Sequence, residues 1–352
     1  MLAVRVDHVY AWMLPSIPVD VLYHILEHAD KATLTKICLL NKVCCSCSQD
    51  ILYRDIRIDD IDFNICQTLN ESTHLAKRVR SFEMDHCNYA ILFLDEQELR
   101  EIQISLQKMT CLRSLRLDNP DFSILDGCTF KLHSFSSNCV YSDALRQFLC
   151  SQPSLTDVKL VRFGENENHV ACLGPCLPRL TRVTALFAWL PHIIPNRPVN
   201  QVISWGSRSH NESVDLSFFT LSTAPIQKLM INHSYLHSTP LQHLASIFPS
   251  LTHLTLRYAP EYGQYIMDFT EWSEWIENLL ATLVTLRVFG TVARYDGPAG
   301  GYLPFITQVS NRAPKLEYFS MYYGPGRYKK LVHGEWVLCD KARFPPVDAF
   351  GM

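Results

Sequence analysis

Cysteine and histidine are the residues of this chain with the widest chemical reach, and there are 13 and 14 of them among 352. Zinc needs about four such ligands converging, usually as two closely spaced pairs. Cys44, Cys45 and Cys47 cluster without a second pair to match them, and Cys172 and Cys176 are flanked by Leu173, Pro175 and Leu177. This spacing is that of small apolar residues scattered through a core, so buried, reduced thiols and no bound metal are expected. An odd number of cysteines in a chain of this length is not the framework of a disulfide-stapled secreted module. A reducing interior, cytoplasm or nucleus, is the expected compartment.

Catalytic constellations are equally hard to assemble. His86 and Cys87 are adjacent, which does not aim one side chain at the other. There is no Gly-x-Ser-x-Gly, no His-Glu-x-x-His and no kinase signature set. The run Asp59-Asp60-Ile61-Asp62 reads as a solvated turn. The expectation is a chain without catalysis or cofactor of its own. The alternative is a hydrolase or transferase hidden in an irregular α/β domain, which a convergent polar cluster around a deep pocket would favour.

Hydrophobic residues make up 47% of the chain and charged ones 19%, the balance of a folded protein. Lys plus Arg is 32 against 35 Asp plus Glu, a net charge of −3, so nothing asks for a nucleic-acid partner. No run of apolar residues is long enough to span a bilayer. Residues 1–14 are broken by Arg5, Asp7 and His8, unlike a signal peptide, and read as a loose arm.

The elements that must position any functional residue are set by a repeat. A turn residue, often Pro, precedes an apolar residue, two variable ones, an apolar residue, one variable and another apolar residue. Leu112/Leu115/Leu117, Leu155/Val158/Leu160, Leu180/Val183/Ala185, Ile226/Leu229/Ile231, Leu251/Leu254/Leu256, Leu283/Leu286/Val288 and Leu316/Phe319/Met321 carry it, with weaker copies at Leu132/Phe135 and Val199/Val202. Counting from Val79, the first positions are 19 to 33 residues apart. Most gaps fall in or near the 20–29 of leucine-rich repeats. Each copy would give a short strand that must stack on its neighbours to bury its apolar face. Between copies, Glu96–Met109, Tyr141–Cys150, a stretch opened by Thr239-Pro240 and Glu271–Leu280 carry apolar residues at helical spacing. Trp272 and Trp275 both read as core. The fold class expected for 61–352 is an irregular α/β leucine-rich-repeat solenoid, inner parallel sheet and outer helices.

Residues 15–60 are different. Pro18-Val19-Asp20-Val21-Leu22-Tyr23-His24-Ile25-Leu26 predicts a short helix, Asp30 or Thr33 opens a second through Leu34 and Ile37, and a third runs from Asn41 toward Leu52 before Tyr53-Arg54. The order Pro-x-Asp-Val-Leu-x-x-Ile-Leu, a Thr-Leu pair, Cys-Leu-Leu-Asn-Lys and a closing Leu-Tyr-Arg resembles an F-box, particularly the form common in large fungal families. Where that family usually has a bulky residue after the Asn-Lys pair, Val43-Cys44-Cys45-Ser46-Cys47 stands here.

The resemblance implies a three-helix module that docks on a Skp-type adaptor, and through it on cullin and RING subunits. The chain would then be the substrate receptor of an SCF-type ubiquitin ligase. The adaptor contacts it implies are Pro18, Val21, Leu22, Ile25, Leu26, Leu39 and Leu40. Solvent-facing strand positions, Arg116, Lys159, Met230, Asn232, Thr255, Arg257, Arg287 and Tyr322, are the expected substrate contacts, the arginines and the lysine forming a basic stripe. The alternative is a repeat scaffold capped by helices, with no ligase association.

Overall fold

A computed structural model describes residues 17–58, 64–84, 95–118, 122–138, 142–160, 176–205, 215–237, 239–257, 269–292, 302–321, 327–331 and 333–339. The chain is mixed α/β and divides into two compact units, Met1–Ser137 and Asn138–Met352. No helix among the described residues is long and apolar enough to cross a membrane.

The first unit begins with helices α1 (Val19–Leu26), α2 (Lys31–Ile37) and α3 (Lys42–Leu52), then β1 (Asp55–Ile58). Side-chain caps define the second and third. Asp30 accepts the Thr33 amide at 2.7 Å and Asn41 accepts the Cys44 amide at 2.8 Å, each satisfying a donor that the helix start leaves without a partner. Next come α4 (Asn64–Glu71), α5 (Thr73–Ala76), β2 (Ser81–Met84), α6 (Glu96–Lys108), β3 (Ser114–Asp118) and β4 (Ser134–Asn138). Asp95 and Glu98 start α6 with a reciprocal capping box, at 2.8 and 2.9 Å. Within the first unit the helical module runs directly into β1 and is tied to the turn before β2. Arg78, in that turn, reaches back to Asp50 and to the Ser46 carbonyl of α3.

In the second unit the strands are β5 (Asp157–Leu160), β6 (Arg182–Leu186), β7 (Gln201–Trp205), β8 (Lys228–Asn232), β9 (His253–Arg257), β10 (Val288–Val292), β11 (Tyr318–Met321), β12 (Arg327–Lys330) and β13 (Trp336–Cys339). Its helices are α7 (Asp143–Cys150), α8 (Leu190–Ile193), α9 (His233–His237), α10 (Leu241–Ile247), α11 (Phe269–Thr282) and α12 (Leu303–Arg312). Each unit's strands form an open sheet in sequence order. The pairs from β5 to β11 are parallel, and β12 and β13 add antiparallel. The region 186–224, poorly periodic in sequence, holds β7, α8 and two short 3-10 turns. Pro240 takes the N-cap place of α10, and the Thr239 hydroxyl donates to the Tyr235 carbonyl.

Register shows what repeats. Ile56, Phe82 and Leu115 align across β1–β3 in the first unit. In the second, Val158, Val183, Val202, Leu229, Leu254, Phe289 and Phe319 align. One residue before each strand, a single carbonyl accepts two consecutive amides of the next repeat: Arg54 from Arg80 and Ser81, Thr181 from Asn200 and Gln201, Gln227 from Thr252 and His253, Arg287 from Glu317 and Tyr318. This ladder corrects one phase. The copy placed at Leu283/Leu286/Val288 is Leu286/Phe289/Thr291, since Phe289 pairs with Leu254 and Thr291 with Leu256. Arg287 therefore precedes its strand.

Burial differs along the chain. Strands β2, β3 and β5 alternate buried with half-buried residues, as a sheet with one solvated face does. From β6 to β11 both faces are buried, and β6, β8 and β11 each end in three or four buried residues in succession, whereas β12 and β13 carry exposed positions.

A candidate docking surface on the helical module

The module formed by α1, α2 and α3 has a core of Leu22, Leu26, Leu34, Cys44 and Cys47, with Ile17, Tyr23, Ala29, Ile37, Ile51 and Leu52 packed around it. Burial pushes the Cys47 thiol up from its usual range. Among the described residues no group of three His, Cys, Asp or Glu side chains is arranged to hold a metal ion.

Apolar side chains also cover the outside of this module. Val19, Val21, Ile25, Leu39, Leu40 and Val43 are exposed, Leu39 to 85% and Leu40 to 62%. An exposed leucine alone needs no explanation, but six exposed large aliphatic residues on about 25 residues of chain make this module the candidate docking surface. Two stripes run along α1. Leu22 and Leu26, four apart, turn inward, while Val21 and Ile25, also four apart, turn out.

Five of the seven residues implied as adaptor contacts are thus exposed: Pro18, Val21, Ile25, Leu39 and Leu40. Leu22 and Leu26 pack the module's own core. Helical spacing alone does not say which aliphatic pair of α1 faces the core, since neighbouring positions on a helix lie about 100° apart. It also missed Val19 and Val43 as surface. Their signal was present, since the inward stripe is complete without them.

The module is pinned at its base. Arg54 bridges Glu27 at 2.9 Å and Asp55 at 3.0 Å, joining the end of α1 to the start of β1. The Arg54 hydrogen bond holds the Glu27 carboxyl below its ordinary range.

The strand positions expected to face a substrate are placed otherwise than the pattern suggested. Lys159, Thr184, Ile203, Met230, Thr255, Gly290 and Ser320 share one row by register. From Thr184 to Ser320 this row is buried, Met230 completely. Met230, Asn232 and Thr255 are therefore not surface residues. Strict alternation does not hold where a sheet is covered on both faces.

Two arginines of the basic stripe are paired with acids of neighbouring repeats. Arg116 pairs with Glu83 on the preceding strand and lies 3.7 Å from Asp118, Arg287 bridges Glu317 at 2.6 Å, and Arg182 bridges Asp157 at 3.0 Å. In each of these repeats an acid stands opposite the base of its neighbour. Lys159 and Arg257 are half-buried, and Tyr322 lies outside the described residues.

The cysteines bring a second correction. Cys150, the last residue of α7, and Cys176 form a disulfide with Cα atoms 4.8 Å apart, where reduced thiols were expected. They are 26 residues apart in sequence, and proximity of this kind leaves no spacing signal.

No family model matches the sequence, and no curated protein matches it. Among solved structures, this chain is similar to a Bacteroides fragilis protein that was a structural-genomics target. The identity is 11% over 76% of this chain and 67% of that one, and the TM-score of 0.33 is too low to carry an argument.

Proposed function

We propose that this chain is the substrate receptor of an SCF-type ubiquitin ligase, its helical module docking on a Skp-type adaptor and its repeats holding a protein substrate in the cytoplasm or nucleus. The observation that carries the reading is the division of labour in α1–α3. A complete small core faces inward while six aliphatic residues face solvent, on a module whose sequence resembles an F-box. Such a face is costly to leave in water and is a natural site for a partner helix to cover. In this reading the strand-and-turn copies, in sequence order and in one register, are an irregular leucine-rich-like solenoid with inner parallel strands and outer helices. Catalysis belongs to the cullin–RING subunits, and this chain raises the substrate's local concentration near the ubiquitin-charged enzyme.

The test is a titration of the full chain against a purified Skp-type adaptor, with Ile25→Asp/Leu40→Asp beside the unsubstituted protein. The unsubstituted chain should bind, and the double variant should lose roughly 100-fold or more in affinity, since buried aliphatic anchors at an interface cost about 2 kcal/mol or more each. Its far-UV circular dichroism should be unchanged. No binding by the folded chain, or equal binding by the variant, overturns the assignment and leaves a repeat scaffold without ligase association.

A further inference from the structure

We infer that Cys150 and Cys176 are a reversible thiol–disulfide modification site, a clasp set by small-molecule disulfides such as oxidised glutathione. The bonded pair sits at the surface, with Cys150 exposed and Cys176 half-buried. Accessible disulfides are the ones that exchange, whereas structural ones are shielded. Eight other described cysteines are free thiols, the exposed Cys111 among them, so this is not a chain whose cysteines are all paired as in a secreted scaffold.

Both partners are held in place by contacts independent of the bond. On one side, α7 is capped by Ser142, whose hydroxyl accepts the Leu145 amide at 3.2 Å, and it buries Leu145, Phe148 and Leu149. On the other, the Cys176 carbonyl accepts Nε of Arg197 at 2.7 Å. Arg197 is buried, and its other donors reach the carbonyls of Ile193 at 2.6 Å and Pro195 at 3.0 Å beside α8. Its own carbonyl takes the Ser222 hydroxyl at 2.9 Å. The two sulfurs therefore stay near each other when reduced, which gives one thiol a high effective concentration for the other.

The backbone beside the bond is strained. Leu177, buried, sits at φ 63°, a left-handed conformation that an aliphatic side chain adopts at a cost. Closing the bond fixes the residue before it, and opening it leaves that conformation held by Arg197, by the burial of Leu177 and by the Leu180 amide that its carbonyl accepts at 3.2 Å. The clasp thus governs how firmly the entry to β6 is set.

The exchange balances as two steps. The Cys150 thiolate attacks one sulfur of glutathione disulfide, releasing one glutathione thiolate and leaving a mixed disulfide on the protein. The Cys176 thiolate then attacks the Cys150 sulfur, releasing the second glutathione thiolate and forming the intramolecular bond. Two protons leave the protein thiols and two glutathione molecules are reduced. A dithiol reverses both steps.

The experiment uses the full chain in native buffer across a series of reduced-to-oxidised glutathione ratios, with differential alkylation read by mass spectrometry. Cys150 and Cys176 should move together from doubly alkylated to bonded, and at a lower proportion of oxidised glutathione than exposed Cys111 needs to form a mixed disulfide, because the intramolecular bond has the higher effective concentration. Dithiothreitol should open the bond without denaturant. Opening should speed amide exchange at residues 176–182 and lower the melting temperature of the second unit by roughly 5–10 °C. A bond that survives dithiothreitol until the protein unfolds is a permanent staple and overturns the inference. So do thiols that stay free in excess glutathione disulfide, or that end as two separate mixed disulfides.

Discussion

Ile25 and Leu26 are neighbours on α1 with opposite surroundings, and truncating each to alanine separates docking from folding. Leu26 is 2% exposed and belongs to a core of only five fully buried side chains, so few neighbours can relax into the space it vacates. Loss of its transfer free energy together with the cavity left behind should cost about 3 kcal/mol. Ile25 is 55% exposed and loses little burial, while alanine is the better helix former, so Ile25→Ala should change stability by no more than about 0.5 kcal/mol. Because the chain has two units, the measurement should be local. Hydrogen exchange followed by mass spectrometry on peptides within residues 17–58 should show protection of α1 falling roughly 100-fold in Leu26→Ala and little in Ile25→Ala. Adaptor affinity should fall directly in Ile25→Ala, and in Leu26→Ala only in proportion to the unfolded fraction. Equal loss of protection in the two variants would refute the assignment of an inward and an outward stripe.

Acidification should destabilise the second unit. Burial, with His237 nearby, pushes the His233 imidazole down from 6.5 to about 4. The unfolded state then binds more protons between those values. The neutral ring's contribution is whole above about 6.5, is lost progressively as pH falls toward about 4 and amounts to up to about 3 kcal/mol. His233→Gln should flatten that part of the stability–pH curve, measured by urea unfolding at pH 4, 5, 6 and 7, and an unchanged slope would count against it. Gly290→Ala should destabilise by about 1–3 kcal/mol, because the added Cβ would lie 2.9 Å from Ser320 Oγ and 3.2 Å from Thr255 Oγ1 in a buried row. Partial rescue by Ser320→Gly would place the clash at that contact, and thermal melts of the single and double variants decide it. Iodoacetamide should label Cys111 well before Cys66 and Cys128. The Arg80 hydrogen bond lowers the exposed Cys111 thiol, whereas burial pushes Cys66 up to about 11 and Cys128 up to about 12.

Periodicity made the inward positions of the strands readable. Leu115, Val183, Leu229, Leu254 and Phe319 are all readable from spacing, because an inward side chain must be apolar whatever lies beyond the sheet. Caps were readable for a similar reason: Asp30 and Asn41 answer amides three residues away, within reach of local sequence. The helical module declared its elements, but not which of its two aliphatic stripes faced inward.

Other features depended on what the chain brings together over distance. Leu22 and Leu26 became core, and Val21 and Ile25 surface, only once α3 supplied Cys44 and Cys47 to close one side. Met230 and Thr255 were buried by cover on the second face of their sheet, which no alternation within a strand can announce. Arg116 and Arg287 found their acids in adjacent repeats, 33 and 30 residues away. Cys150 and Cys176 met across a whole repeat. The sequence by itself determined which positions had to be apolar, because burial of a repeated face imposes a period. The tertiary structure decided which faces were covered and which charges and thiols met, because those depend on pairings between segments whose separation carries no period.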